Sequence, residues 1–183
     1  MFEIKKSPVL DLMVLVPKKY EDRRGGFIKL FHAAIYEEFG LPSQFREAFY
    51  SNSRAGVIRG LHFQRPPSDH GKLVTCLNGS VLDVVVDLRF GSPTYLCAES
   101  FRLSSEICNL VYIPPGFAHG FYCDAGDATM LYMTTCEHDP ELDDGVLWSS
   151  IDFEWPSTNP IISDRDSDFT AIDEFITPFT YEN

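Results

Sequence analysis

Apolar residues recur along the chain in short runs whose lengths and β-branched or aromatic content suit strands: residues 9–16, 56–63, 72–77, 80–88, 95–103, 110–113, 116–123 and 128–135. Turn-forming residues separate them, as in Asn78-Gly79, Gly91-Ser92-Pro93, Pro114-Pro115-Gly116 and Asp124-Ala125-Gly126-Asp127. Many short strands at this spacing predict an all-β protein, an antiparallel barrel or jelly roll. Only residues 31–39 look helical, with Phe31, Ile35 and Phe39 at i, i+4 and i+8 and Gly40 placed to stop the helix. After Trp148 the chain becomes Asp-, Ser- and Pro-rich with scattered aromatics. The segment from about 149 to 183 is therefore expected to wrap the barrel, leaving a single domain over 1–183.

Several polar residues do not fit this pattern. Strict alternation over Arg59-Gly60-Leu61-His62-Phe63-Gln64 sets Arg59, Leu61 and Phe63 on one face and Gly60, His62 and Gln64 on the other. At least one face then carries functional polarity or meets solvent. Spacing alone leaves His62 open between a pocket residue and a satisfied structural histidine, and Arg59 between a site residue and a surface pair. Further on, Asp83, Val85, Asp87 and Arg89 share a face of an apolar strand. Asp83 there needs a histidine or arginine partner, because an unpaired buried carboxylate is costly, unless the strand is an edge with one wet face. Phe117, His119 and Phe121 point together, as pocket residues or as packing. Tyr132, taken singly, reads as packing with its hydroxyl at a rim.

Length and charge narrow the functions. The 183 residues, 44% hydrophobic, suffice for one sizeable core. Twenty-seven acidic and 15 basic residues give a net charge of −12, which disfavours nucleic acid and anionic lipid yet permits a small anion at a local Arg and Lys cluster. The first apolar run is broken by Asp11 and ended by Pro17, and nothing approaches the roughly 20 apolar residues of a membrane span. Five scattered cysteines without CxxC spacing suggest neither a disulfide scaffold nor a zinc ribbon, and a cytoplasmic protein is expected. With no HxH pair, neither a metal nor another cofactor is expected.

One set of segments carries a resemblance: Arg59-Gly60-Leu61-His62-Phe63-Gln64, Gly71-Lys72-Leu73-Val74, residues 79–89, Gly91-Ser92-Pro93-Thr94, Ile113-Pro114-Pro115-Gly116-Phe117-Ala118-His119-Gly120-Phe121 and Leu131-Tyr132. In order and spacing, from about Val9 to Asp166, the chain resembles the dTDP-4-dehydrorhamnose 3,5-epimerases. The resemblance implies a cupin-type double-stranded β-helix jelly roll with a few short peripheral helices. It also implies a homodimer with exchanged N-terminal strands, no metal, and a nucleotide-linked 4-keto-6-deoxy sugar as substrate. A ketone at carbon 4 acidifies the hydrogens at carbons 3 and 5. A base removes one, and reprotonation of the enolate from the other face inverts the centre.

By the same resemblance His62 is the base, Asp166 orients it, Lys72 holds the enolate oxygen and Tyr132 returns the proton. Arg59 and His119 match substrate contacts with Asp83 behind them, and Arg24, Asp143 and Arg165 match nucleotide-side contacts. The chain departs from the family at Lys29 (commonly Glu), at Glu47-Ala48-Phe49 (usually Gln-Asp-Asn), at Met133 (Lys) and at Glu137-His138 (a tyrosine pair). These positions face the nucleotide, so dTDP, GDP, CDP and UDP all stay open, as does inversion at one carbon or both. Two alternatives are a metal-free 3,4-ketoisomerase of the same sugars and a non-catalytic sugar-binding cupin. The joint presence of His62, Lys72 and Tyr132 counts against the second.

Overall fold

The structure, a computed structural model, describes residues 2–9 and 11–182. Met1, Asn183 and Leu10, the last inside the predicted run 9–16, lie outside the described residues. In chain order the elements are β1 (Phe2–Lys6), β2 (Met13–Pro17), β3 (Lys19–Asp22), β4 (Gly25–Ile28), α1 (Ala33–Glu38), β5 (Glu47–Ser53), β6 (Ile58–Gln64), β7 (Lys72–Asn78), β8 (Ser80–Asp87), β9 (Ala98–Ser104), β10 (Leu110–Ile113), β11 (Phe117–Tyr122), β12 (Ala128–Thr134), β13 (Asp143–Gly145) and α2 (Asp164–Ser167).

They form a six-stranded sheet in the order β1-β2-β10-β7-β12-β5, a five-stranded sheet in the order β13-β6-β11-β8-β9, and a separate β3-β4 hairpin. The neighbouring strands of both large sheets run antiparallel. This is the cupin-type jelly roll. Asn78-Gly79 is not a hairpin turn: β7 and β8 on its two sides belong to different sheets. Gly79 makes that crossing at φ +80, and a side chain there would strike the backbone of Asp127.

Burial is arranged in layers. Val74, Val85, Val111, Phe117, Phe121 and Met130 pack between the sheets. Leu61, Phe63, Val84, Val86 and Leu88 on the outer side of the five-stranded sheet lie under Phe153, Trp155, Ile172, Phe175 and Phe179 of the C-terminal segment. Leu15, Leu73 and Leu110 on the outer side of the other sheet lie under Tyr36 of α1 and its neighbours. Strand β8 is thus covered on both faces and sits between β11 and β9, so Asp83 is fully buried and the wet-edge alternative falls. Arg89 donates to Asp87 and Asp11 at 2.8 Å each and lies over the rings of Phe117 and Tyr181, joining both ends of the chain to the end of β8.

One irregularity positions the site. On β11, His119 pairs with His62 and Phe121 with Arg59, so β6 holds one residue more than its partner between these pairs. This β-bulge breaks the alternation read from the sequence and turns Arg59 and His62 to the same side. Gly60 lies within it at φ +123, and a Cβ there would stand 2.5 Å from Gly120 Cα and 2.8 Å from the His119 carbonyl oxygen. Gly60→Ala should therefore destabilise the fold by about 2 kcal/mol or more. Thermal unfolding should register this as a Tm lowered by roughly 4–8 °C, and an unchanged Tm would refute the tight approach of β6 to β11.

Candidate active site

The two sheets part at one end around a cavity of about 360 Å³, within the range of small-ligand pockets. The five-stranded sheet contributes Arg59, His62, Gln64, His119, Phe121 and Asp143, and the six-stranded sheet contributes Glu47, Phe49, Ser51, Lys72, Tyr132 and Thr134. His70, His138 and Arg165 line the cavity from loops and from α2.

Two histidine–aspartate pairs stand side by side on the cross-strand partners His62 and His119. His62 Nε2 lies 2.9 Å from Asp166 Oδ1. The other Asp166 oxygen accepts the Gly60 N–H at 3.0 Å, and the Asp166 N–H donates to Ser163 Oγ as the N-terminal cap of α2. Burial raises the Asp166 pKa, but the bonds from His62, Gly60 and Ser163 outweigh it and leave the carboxyl below its ordinary value. The carboxylate therefore accepts from His62 Nε2–H, and the lone pair of the neutral imidazole falls on Nδ1. His119 Nε2 lies 2.7 Å from Asp83 Oδ2, both side chains being buried, while Asp83 Oδ1 has no hydrogen-bond partner among the described residues.

Lys72 Nζ donates to the His62 carbonyl oxygen at 3.1 Å. Burial pushes its pKa down to about 8, against the pull of Asp143 and Asp83. His70 is pushed down to about 4 by burial and by Lys72, so it is neutral at pH 7. Its Nδ1 lies 3.0 Å from Gln64 Nε2. Tyr132 OH lies 3.4 Å from Ser51 Oγ, and burial raises the phenol pKa, keeping it protonated at neutral pH. Arg59 donates to Ser53 Oγ and the Asn52 carbonyl, and Arg165 pairs with Asp143 at 2.7 Å.

Of the residues singled out in the sequence, Arg59, His62, Lys72, His119, Tyr132, Asp143 and Arg165 share this one cavity. Asp166 and Asp83 stand directly behind its two histidines. Arg24 does not join them within the chain: it is exposed on the β3-β4 hairpin and bonded to Asp22. Ser51 and His70 were not singled out in the sequence, Glu47, Phe49 and His138 entered only as departures from the family, and Gln64 only as sharing a face with His62. Glu47, Phe49 and Ser51 lie on β5, which mixes polar and apolar residues on both faces, so alternation gave no signal there. Among the described residues, no group of three or more His, Cys, Asp or Glu side chains is placed to hold a metal ion, and no helix is long and apolar enough to cross a membrane.

A cavity lined by an imidazole on one sheet and a phenol on the other, with a partly buried ammonium beside them, can take a proton from one face of a substrate carbon and return one to the other face of the flat intermediate that results. That is the chemistry of the jelly-roll sugar epimerases, a class of isomerases. The profile of the dTDP-4-dehydrorhamnose 3,5-epimerases matches residues 6–174, and the chain belongs to that family. A dTDP-4-dehydrorhamnose 3,5-epimerase of Shigella flexneri is 40% identical over 177 residues, covering 93% of this chain and 98% of its own. A dTDP-4-dehydrorhamnose 3-epimerase of Streptomyces niveus is 39% identical over 163 residues, covering 87% and 79%. The crystal structure of a dTDP-6-deoxy-D-glucose-3,5-epimerase from Legionella pneumophila, in complex with dTDP-4-keto-L-rhamnose, superposes with a TM-score of 0.94 at 34% identity, covering 100% of both chains.

The Asp166 bonds have a measurable consequence. With a native pKa below its ordinary 3.8, Asp166 contributes stability that is present above that value and lost as the pH falls through the lowered native one. Asp166→Asn should therefore unfold at lower urea than the wild type at pH 5–7, and the gap should begin to narrow below about pH 4 and go on narrowing as the pH falls further. A gap independent of pH would contradict a charged Asp166.

Proposed function

We propose that this chain is an epimerase of a nucleotide-linked 4-keto-6-deoxy sugar, inverting carbon 3, carbon 5 or both through an enolate. The observation that carries this reading is that His62 and Tyr132 line one cavity from different sheets, His62 backed by Asp166 and Tyr132 still protonated. His62 Nδ1 takes the proton of the C–H bond beside the ketone. The electron pair of that bond moves into the new C=C, and the carbonyl pair moves onto oxygen. Lys72 meets the developing negative charge as an ammonium. Tyr132 gives its proton to the other face of the same carbon: the C–H bond forms, the C=O returns, the phenolate is reprotonated from solvent, and the His62 imidazolium releases the abstracted proton to solvent. Arg59 and His119, the latter held by Asp83, fix the sugar, and Arg165 and Asp143 serve the nucleotide side.

The relatives' names make a dTDP sugar the first substrate to try. Arg24 serves the cavity of a second copy in a homodimer with exchanged N-terminal strands, a reading supported by the exposed hairpin with Tyr20 and Phe27 beside it. The protein works as one domain over 1–183 in the cytoplasm, without a metal.

Incubation with dTDP-, GDP-, CDP- and UDP-linked 4-keto-6-deoxy sugars in deuterated water, followed by proton NMR, tests the reaction. At least one substrate should gain deuterium at carbon 3, carbon 5 or both and yield inverted product. A carbonyl moved to carbon 3 would identify a ketoisomerase instead, and no exchange with any substrate would overturn the reading. In the same assay His62→Ala should lose about 10²- to 10⁴-fold in exchange, and a wild-type rate would pass the role of base to His119.

The pH dependence follows from Lys72. Because its ammonium is the required form, kcat/KM, which reports the free enzyme, should fall as the pH rises through about 8. Lys72→Arg stays charged, so whatever activity it retains should hold level to about pH 10. A limb unmoved by that substitution would assign it to another group.

A further inference from the structure

We propose that Phe49 is a positioning residue for Tyr132, fixing the ring from which the proton is returned; the inference rests on the reading of Tyr132 as the acid. Phe49 and Tyr132 are directly opposite each other in the β5–β12 pairing. Their rings stack with centroids 4.9 Å apart and planes 15° from parallel. Two residues along the same face of β5, Ser51 reaches the Tyr132 hydroxyl at 3.4 Å. On another flank His119 meets the tyrosine edge-on at 6.2 Å. The Tyr132 ring is thus bounded by an aromatic face, an imidazole edge and a hydroxyl, and all three neighbours line the cavity.

The exposure of Phe49 separates this from ordinary packing. It is 44% exposed, on a strand at the edge of its sheet, and it belongs to none of the core clusters. Its apolar area adds little to the core, so its packing falls mainly on Tyr132. A phenol that must deliver a proton to one carbon needs its oxygen held in one place, because displacement by a fraction of the donor–acceptor distance is enough to lose the transfer. The Tyr132 ring is buried in the inter-sheet core, but its hydroxyl is tied only by the long 3.4 Å contact to Ser51, and Phe49 is the aromatic neighbour stacked on its face. An aromatic neighbour stacked on the ring shifts the populations of its positions by about two- to tenfold.

The acid acts after the base, so a loosened Tyr132 should leave proton abstraction intact and impair inversion. In deuterated water Phe49→Leu should take up deuterium into substrate at close to the wild-type rate while forming two- to tenfold less inverted product per exchange event. Tyr132→Phe gives the limiting value of that ratio, and Phe49→Tyr, which keeps the stack, should restore the wild-type ratio. A crystal structure of Phe49→Leu, which needs no substrate, should show the Tyr132 side chain in more than one position. The assignment is overturned by a wild-type ratio in Phe49→Leu, by a proportional fall of exchange and inversion, or by a single Tyr132 position matching the wild type's. If the wild type washes deuterium into no 4-keto sugar nucleotide, the proposed reaction fails and the crystallographic result alone decides the role of Phe49.

Discussion

The extra residue in β6 is the constraint on which the rest of the site depends. A regular strand would turn Arg59 away from His62, because successive side chains alternate. With one more residue in β6 than in β11 between the paired positions, Arg59, His62, His119 and Phe121 all come to the cavity floor. The irregularity also frees a backbone donor. The Gly60 N–H leaves the ladder and goes to Asp166 Oδ2, while Oδ1 of the same carboxylate takes His62. One carboxylate thus satisfies the bulge and orients the imidazole, so the defect in the sheet and the orientation of His62 have a common cause.

Charge is organised on two scales. Over the whole chain the balance is −12, yet the cavity gathers Arg59, Lys72 and Arg165 with three histidines besides His62. The acids at the site each have a partner: Asp166 with His62, Asp83 with His119, Asp143 with Arg165, while Glu47 accepts the His138 N–H. Lys72 has no carboxylate within ion-pair distance among the described residues, and its burial lowers its pKa to about 8. An enolate forming beside it would supply the missing counter-charge, so the interaction strengthens as the reaction proceeds, which is the direction catalysis requires.

What the sequence disclosed follows the same physics. Strands β6, β7, β8, β10 and β11 announced themselves because both their faces are largely covered, by the inter-sheet core and by the C-terminal segment or α1, and β12 because buried and half-buried residues alternate along it. Strands β1, β3, β4, β5 and β13 did not, since most of their residues are at least partly exposed and carry no apolar period. The need of Asp83 for a partner was legible in its strand, and the partner is His119. That Asp166 serves His62 was available only through resemblance, because 104 residues separate them. The shared face of Arg59 and His62 was misread, since a bulge leaves no mark on hydrophobic periodicity. Of its residues only Gly60 hinted at it, as a glycine within a strand so often does.

The sandwich itself explains why this fold suits inversion. To invert a carbon, one group must act on each side of a planar enolate, so acid and base have to be held apart by about the thickness of a sugar ring. Two sheets packed face to face keep a spacing of about 10 Å, set by the side chains between them. Where large apolar residues fill that gap it is core, as between Val74, Phe121 and Met130. Where they give way to His62, His119, Lys72 and Tyr132, the same gap becomes a slot with opposed walls. On the proposed reading, base and acid lie on opposite sides because His62 and Tyr132 belong to different sheets, and no moving part is needed to bring them to the two faces. The architecture that buries the core thereby also sets the stereochemistry.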